Sequence, residues 1–138
     1  MKLSLLYRIT SVLLVLFAVG HTLGFRQVDP SWGVDSLIAA LKSTHFSVQG
    51  MDRTYWDFYT GFGVFVTVFL LFTAILTWQL GSQPKEALST MWVLNWSLAA
   101  CFMTLTILSW MYFFVVPVAL SAVIALCLMC AAWLAGKP

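Results

Sequence analysis

Apolar, charge-free runs long enough to cross a bilayer recur along the chain, and one polar stretch separates the first from the rest. A bilayer core about 30 Å thick takes roughly 20 helical residues at about 1.5 Å each. The first run lies between Arg8 and Arg26, and its span reaches back toward Leu5 because Arg8 can carry its charge to the interface on an apolar stem. The second follows Asp57 and continues to Trp78 and Leu80. From Ala87 to Gly136 no side chain is charged, and as one helix that run would extend about 75 Å, more than twice the core thickness. It therefore folds back, between Tyr112 and Pro117, where Pro117 lacks an N–H and disfavours helical geometry in the residue before it. The pattern predicts an all-α integral membrane protein: a single transmembrane domain over residues 1–138, with four helices near 5–26, 56–80, 88–111 and 115–135 in an antiparallel bundle.

The polar loop over 27–55 is too long for a simple connector and is expected to hold structure of its own. Asp29-Pro30 is a helix start, with a capping oxygen followed by a proline at the first helical position. Val34, Leu37, Ile38 and Leu41 follow the i, i+3, i+4, i+7 spacing of a short amphipathic helix, with Asp35, Ser36 and Lys42 off the stripe. Such a helix lies flat in the headgroup region or caps the open end of the bundle.

Composition agrees with the pattern: 62% of residues are hydrophobic and 9% charged, against roughly 45–50% and about 25% in soluble domains. The net charge of +2 is too small and scattered for a nucleic-acid surface. A chain this short has no room for a separate catalytic domain beside its spans. Lys2 and Arg8 before an apolar run ending Ala18-Val19-Gly20 also fit a cleaved signal peptide, although the apolar character continues through Leu23 to Phe25. With the N-terminus inside, Lys2, Arg8, Lys85 and Lys137 lie on the inner side and Arg26, Lys42 and Arg53 on the outer, which favours both termini cytoplasmic. Tyr7, Tyr55, Trp56, Trp78, Trp110 and Trp133 fall where interfacial aromatic belts belong.

Candidate chemistry gathers at the outer ends of the first two spans. Gly20 and Gly24 form a G-x-x-x-G pair, and Gly61 and Gly63 lie one turn into the second span, so close helix packing is expected there. His21 sits within the first pair, and Asp57 precedes Gly61 by one turn on the same face, which makes a His21–Asp57 contact geometrically accessible. A carboxylate beside His21 would raise its pKa and orient one ring nitrogen, leaving the other for a substrate. Thr22, Arg53, Tyr55, Tyr59 and Thr60 are the candidate wall groups of a ligand site. The plainer reading is that His21 bonds a backbone carbonyl or a neighbouring side chain and sets helix register.

Other chemistry finds less support. Cys127 and Cys130 form a C-x-x-C inside the fourth span with no nearby charge to lower a thiol pKa, and Cys101 stands apart, so a packing role is preferred to a redox one. No metal site is expected and no cofactor is assigned; haem ligated by two histidines would need His45 to reach down from the loop, or two copies of His21 in a dimer. The spans lack the midplane charge of a coupled transporter. Asn95, Thr104, Thr106 and Ser109 are expected to form interhelical hydrogen bonds, and Trp92 and Trp96 to mark the inner interface.

The segments Gly20-His21-Thr22-Leu23-Gly24-Phe25 and Tyr55-Trp56-Asp57-Phe58-Tyr59-x-Gly61-Phe62-Gly63 resemble a group of small, uncharacterised bacterial four-helix membrane proteins. That resemblance covers about the first 80 residues, implies four spans in a bacterial inner membrane, and brings no activity, cofactor or catalytic residue. Two functions fit the residues. One is a membrane module that binds a lipid-like or other hydrophobic small molecule, or a partner membrane protein, at the outer end of the bundle, alone, as a homo-oligomer or within a larger membrane complex. The other is a membrane acid/base enzyme, an isomerase or hydrolase, in which His21 transfers protons and Asp57 orients it.

Overall fold

The structure, a computed structural model, describes residues 3–136. Its elements in order are α1 (Leu3–Gly24), a 3-10 turn (Pro30–Trp32), α2 (Asp35–Ser43), β1 (His45–Val48), β2 (Met51–Thr54), α3 (Tyr55–Leu80), α4 (Lys85–Thr90), α5 (Trp92–Tyr112) and α6 (Val115–Ala135). Helices α1, α3, α5 and α6 contain 22, 26, 21 and 21 residues and are long and apolar enough to cross a membrane. All four lie close to the ranges read from the charge-free runs.

One boundary differs. The third long helix starts at Trp92 rather than at residue 88, because Met91 leaves helical geometry (φ −90°, ψ 28°) and ends the separate turn α4. The reversal falls at Phe113 and Phe114, both extended, and Pro117 sits inside the first turn of α6. At that position its missing N–H would have had no intrahelical partner.

The polar loop departs from an all-helical expectation. Asp29 does cap a helix start, its side chain accepting the Ser31 N–H at 2.8 Å, but the result is one 3-10 turn that ends at Gly33. The amphipathic helix starts afresh at Asp35, with Val34, Ile38 and Leu41 half-buried. After it, β1 and β2 pair antiparallel in the register His45↔Thr54, Phe46↔Arg53, Ser47↔Asp52 and Val48↔Met51. The two-residue turn has positive φ at both Gln49 (51°) and Gly50 (81°), the backbone that matches the twist of a tight hairpin.

The chain divides into two compact units, one holding the residues up to Phe17 and from Leu70 onward, the other running Ala18–Phe69. In the first unit, the helix faces that pack mix small and polar residues with large apolar ones: Tyr7, Thr10, Ser11 and Leu14 on α1, Leu70, Thr73, Ala74 and Thr77 on α3, Asn95, Ala99 and Phe102 on α5, Ser121, Ala125, Leu128 and Ala132 on α6. Large side chains such as Ile75, Val93, Ile107 and Leu126 point away from the protein. The small residues within the packed faces permit close backbone approach, and bulky apolar outer faces are stable in lipid rather than in water.

Polar groups of this unit bond across helices. Ser11 Oγ donates to the Ala74 carbonyl (2.7 Å), Ser4 Oγ to the Gly81 carbonyl (2.6 Å), and Tyr7 Oη to Asn95 Oδ1 (2.9 Å). Asn95 Nδ2 then donates to the Leu88 carbonyl (2.9 Å), so Asn95 makes the interhelical bond expected of it. Thr104 and Thr106 do not; each donates to the carbonyl four residues back on its own helix. The Arg8 guanidinium lies over the Trp78 ring at 5.3 Å, a cation–π contact between α1 and α3.

Candidate functional site

The candidate residues all fall in the Ala18–Phe69 unit, which is held together by aromatic and backbone contacts rather than by a large core; among its described residues, only Ala18 and Thr54 are fully buried. His21 Nε2 lies 3.0 Å from the Gly63 carbonyl. Because a carbonyl only accepts, Nε2 carries the hydrogen in this arrangement. The imidazole stacks on Phe25, with centroids 5.1 Å apart at an interplanar angle of 15°. The contacts continue from Phe25 to Tyr59, whose hydroxyl donates to the Phe25 carbonyl, then to Trp56 and to the Lys42 ammonium, 4.5 Å from the Trp56 ring centroid. Thr22 Oγ1 bonds both the Ala18 carbonyl (2.6 Å) and Thr67 Oγ1 (2.9 Å), adding a second link between α1 and α3.

Asp57 has a different role. Its Oδ2 accepts the Thr54 N–H (2.7 Å) and the Thr54 hydroxyl (2.9 Å), while Thr54 Oγ1 faces the Asp57 N–H at 3.2 Å. This reciprocal arrangement is a capping box at the start of α3, and it satisfies donors that a helix N-terminus leaves free. His21 and Asp57 are therefore engaged with separate partners, and the expected contact between them is not formed. The backbone-carbonyl reading of His21 is the one its geometry supports. Neither residue is arranged to pass a proton to the other.

Close packing at the glycines is also narrower than the spacing suggested. A Cβ on Gly63 would overlap the Phe25 ring, whereas one on Gly20, Gly24 or Gly61 would meet nothing within 4 Å. The G-x-x-x-G pair in α1 is exposed and forms no tight contact. Gly81, not singled out in the sequence, has closer neighbours: its Cβ would lie 3.2 Å from the Ser4 carbonyl oxygen and from Tyr7 Cβ.

A groove of about 330 Å³ opens between the hairpin turn and the first turns of α3. Val48, Gln49 and Met51 form its hairpin wall, and Phe58, Phe62 and Phe65 form its helix wall. Arg53 and Asp57 supply its charges. Phe46 braces the entrance to α3, its ring 5.0 Å from Tyr55 and 5.8 Å from Phe58. Of the sequence-predicted wall groups, Arg53 lines this groove, Tyr55 packs against Phe46, Thr22 and Tyr59 belong to the α1–α3 contacts, and Thr60 Oγ1 is buried without a hydrogen-bond partner. The groove phenylalanines were not among the predicted site residues, although their 58, 62, 65 spacing marks one helical face.

Elsewhere, Cys101, Cys127 and Cys130 are free thiols, and His45 Nδ1 pairs with Asp52 Oδ2 at 2.9 Å on the exposed hairpin. Among the described residues, no three histidine, cysteine or acidic side chains group as metal ligands would. No family model matches the chain, and no curated protein or solved structure does either.

Proposed function

We propose that this chain is an integral membrane protein whose four long helices cross the bilayer as an antiparallel bundle, with both termini cytoplasmic, and that it binds a lipid-like hydrophobic molecule at the loop-bearing ends of α1 and α3. The observation that carries the binding reading is the groove lined by Phe58, Phe62 and Phe65, with Arg53 of the hairpin and Asp57 of α3 supplying its charges. Its volume, about 330 Å³, is at the lower end of the range for small-molecule sites, and it joins an apolar wall to a few polar groups, as such sites do. Membrane insertion is supported by the length of the four apolar helices and by the bulky apolar side chains on their outer faces. A bacterial inner membrane is the setting that the resemblance of the two glycine-aromatic segments implies.

The test is to purify the full chain from membranes in mild detergent and analyse bound molecules by mass spectrometry. A hydrophobic molecule retained near stoichiometry by the wild type and lost from Phe62→Asn supports the reading. Protein free of any retained hydrophobic molecule, or equal retention by Phe62→Asn, overturns it. Recovery of the chain in the soluble fraction would sink membrane insertion itself.

A further inference from the structure

We infer that the groove selects a zwitterionic phospholipid, with the headgroup phosphate on Arg53, the headgroup ammonium on Asp57 and an acyl chain along the phenylalanine face of α3; this rests on the lipid-binding reading above and specifies its ligand. Arg53 and Asp57 line the same groove and carry opposite charges, yet they form no ion pair with each other. Arg53 is held by the hairpin instead, Nη1 donating to the Asp52 carbonyl (2.6 Å) and Nη2 to Met51 Sδ (3.5 Å). Two of its five N–H donors are so used, and three remain for phosphate oxygens, which the guanidinium fork matches well. Both side-chain bonds accepted by Asp57 fall on Oδ2, which leaves Oδ1 to receive an ammonium. A cation on the hairpin and an anion on α3, both lining one groove, complement a dipolar headgroup, whereas an anionic lipid would meet Asp57 as a like charge and a cationic amphiphile would meet Arg53 as one.

The apolar half of the ligand has a matching surface. Phe58, Phe62, Phe65 and Phe69 recur at 4-3-4 spacing, which keeps them on one side of α3, and all four are exposed, Phe62 and Phe65 by 63% and 70%. This face starts in the groove beside the two charges and follows the helix in the direction an acyl chain takes from its headgroup into a bilayer. An acyl chain packed on this face gains van der Waals contact along its length, and the two charges supply selectivity.

The full chain, delipidated in detergent, would be titrated by native mass spectrometry with phosphatidylethanolamine and with phosphatidylglycerol of identical acyl chains, and then challenged with water-soluble glycerophosphoethanolamine. Phosphatidylethanolamine should bind at least about fivefold more tightly than phosphatidylglycerol, the size expected of one exposed charge contact. Arg53→Gln should weaken phosphatidylethanolamine binding by about the same factor. Asp57→Asn, which keeps an acceptor oxygen for the Thr54 cap, should abolish the preference between the two lipids. Equal or tighter binding of phosphatidylglycerol overturns the zwitterion assignment and leaves the lipid site standing. Displacement of bound lipid by equimolar glycerophosphoethanolamine overturns the lipid as source, in favour of a soluble zwitterion. Failure of both lipids to bind, with wild-type helix content intact by circular dichroism, overturns the lipid-binding reading itself.

Discussion

The ring of Phe25 occupies the space that a side chain at position 63 would fill, and the same Gly63 offers its carbonyl to His21, on which Phe25 stacks. One glycine thus serves two contacts between α1 and α3. Replacing it by alanine should push the Phe25 ring off the imidazole and lower stability by about 1–3 kcal/mol, as overpacking does. Gly20→Ala, Gly24→Ala and Gly61→Ala meet open space and should be neutral or stabilising by up to about 1 kcal/mol through helix propensity. Thermal unfolding of the four variants in detergent checks this, and equal losses at all four would contradict it.

The capping box at Thr54 and Asp57 predicts a non-additive pair. Thr54→Ala and Asp57→Ala should each cost about 0.5–2 kcal/mol, because each leaves a donor at the α3 start without its acceptor. The double variant should cost less than the sum of the two, by the side-chain bond between Thr54 and Asp57 that both single variants remove. An additive double variant would show that the two side chains act separately.

Tyr7 and Asn95 lie 88 positions apart and share a buried hydrogen bond. Tyr7→Phe should destabilise by about 0.6–2 kcal/mol, the measured range for hydrogen bonds between membrane helices. Asn95→Leu should cost more, since it removes the bond to the Leu88 carbonyl as well and leaves the Tyr7 hydroxyl buried without an acceptor. A double-mutant cycle read by denaturant unfolding isolates the shared term, and a coupling indistinguishable from zero would rule the contact out.

Hydrogen bonds from Ser31, first its side chain and then its backbone, hold the Asp29 carboxyl below the ordinary aspartate range. The sign follows from linkage: a depressed carboxyl pKa favours the capped turn above the ordinary value, and that contribution disappears as pH falls through the lowered one. The Ser31 amide resonance, followed by NMR in micelles, should titrate below the usual aspartate midpoint. In Ser31→Ala the Asp29 carboxyl should titrate at higher pH than in the wild type; an unmoved midpoint would count against the hydroxyl contact.

A motif visible in the chain already pointed to the role of Asp57. Thr54-x-x-Asp57 stands directly before a long apolar run, the signature of a helix N-terminus, and this local signal outweighs the nearness to His21 that the two glycine patches suggest. The hairpin was readable from Gln49-Gly50 between short strands, although glutamine is not a residue that favours positive φ. The groove was not readable in this way, since it needs the hairpin folded against α3, and no periodicity within one element reports a contact between two.

Four long helices follow from the sequence by itself, because charge-free length and the position of Pro117 are local properties that decide where a helix can run and where it must turn. The sequence also determined that seven of the twelve charges lie between Arg26 and Asp57. Tertiary structure alone decided which glycine is crowded, that His21 answers Gly63 while Asp57 answers Thr54, and that Arg53 shares a groove with a row of phenylalanines. Those outcomes depend on helix rotation and side-chain direction, and a rotation of one residue, about 100°, exchanges a packed face for an exposed one without altering composition or spacing.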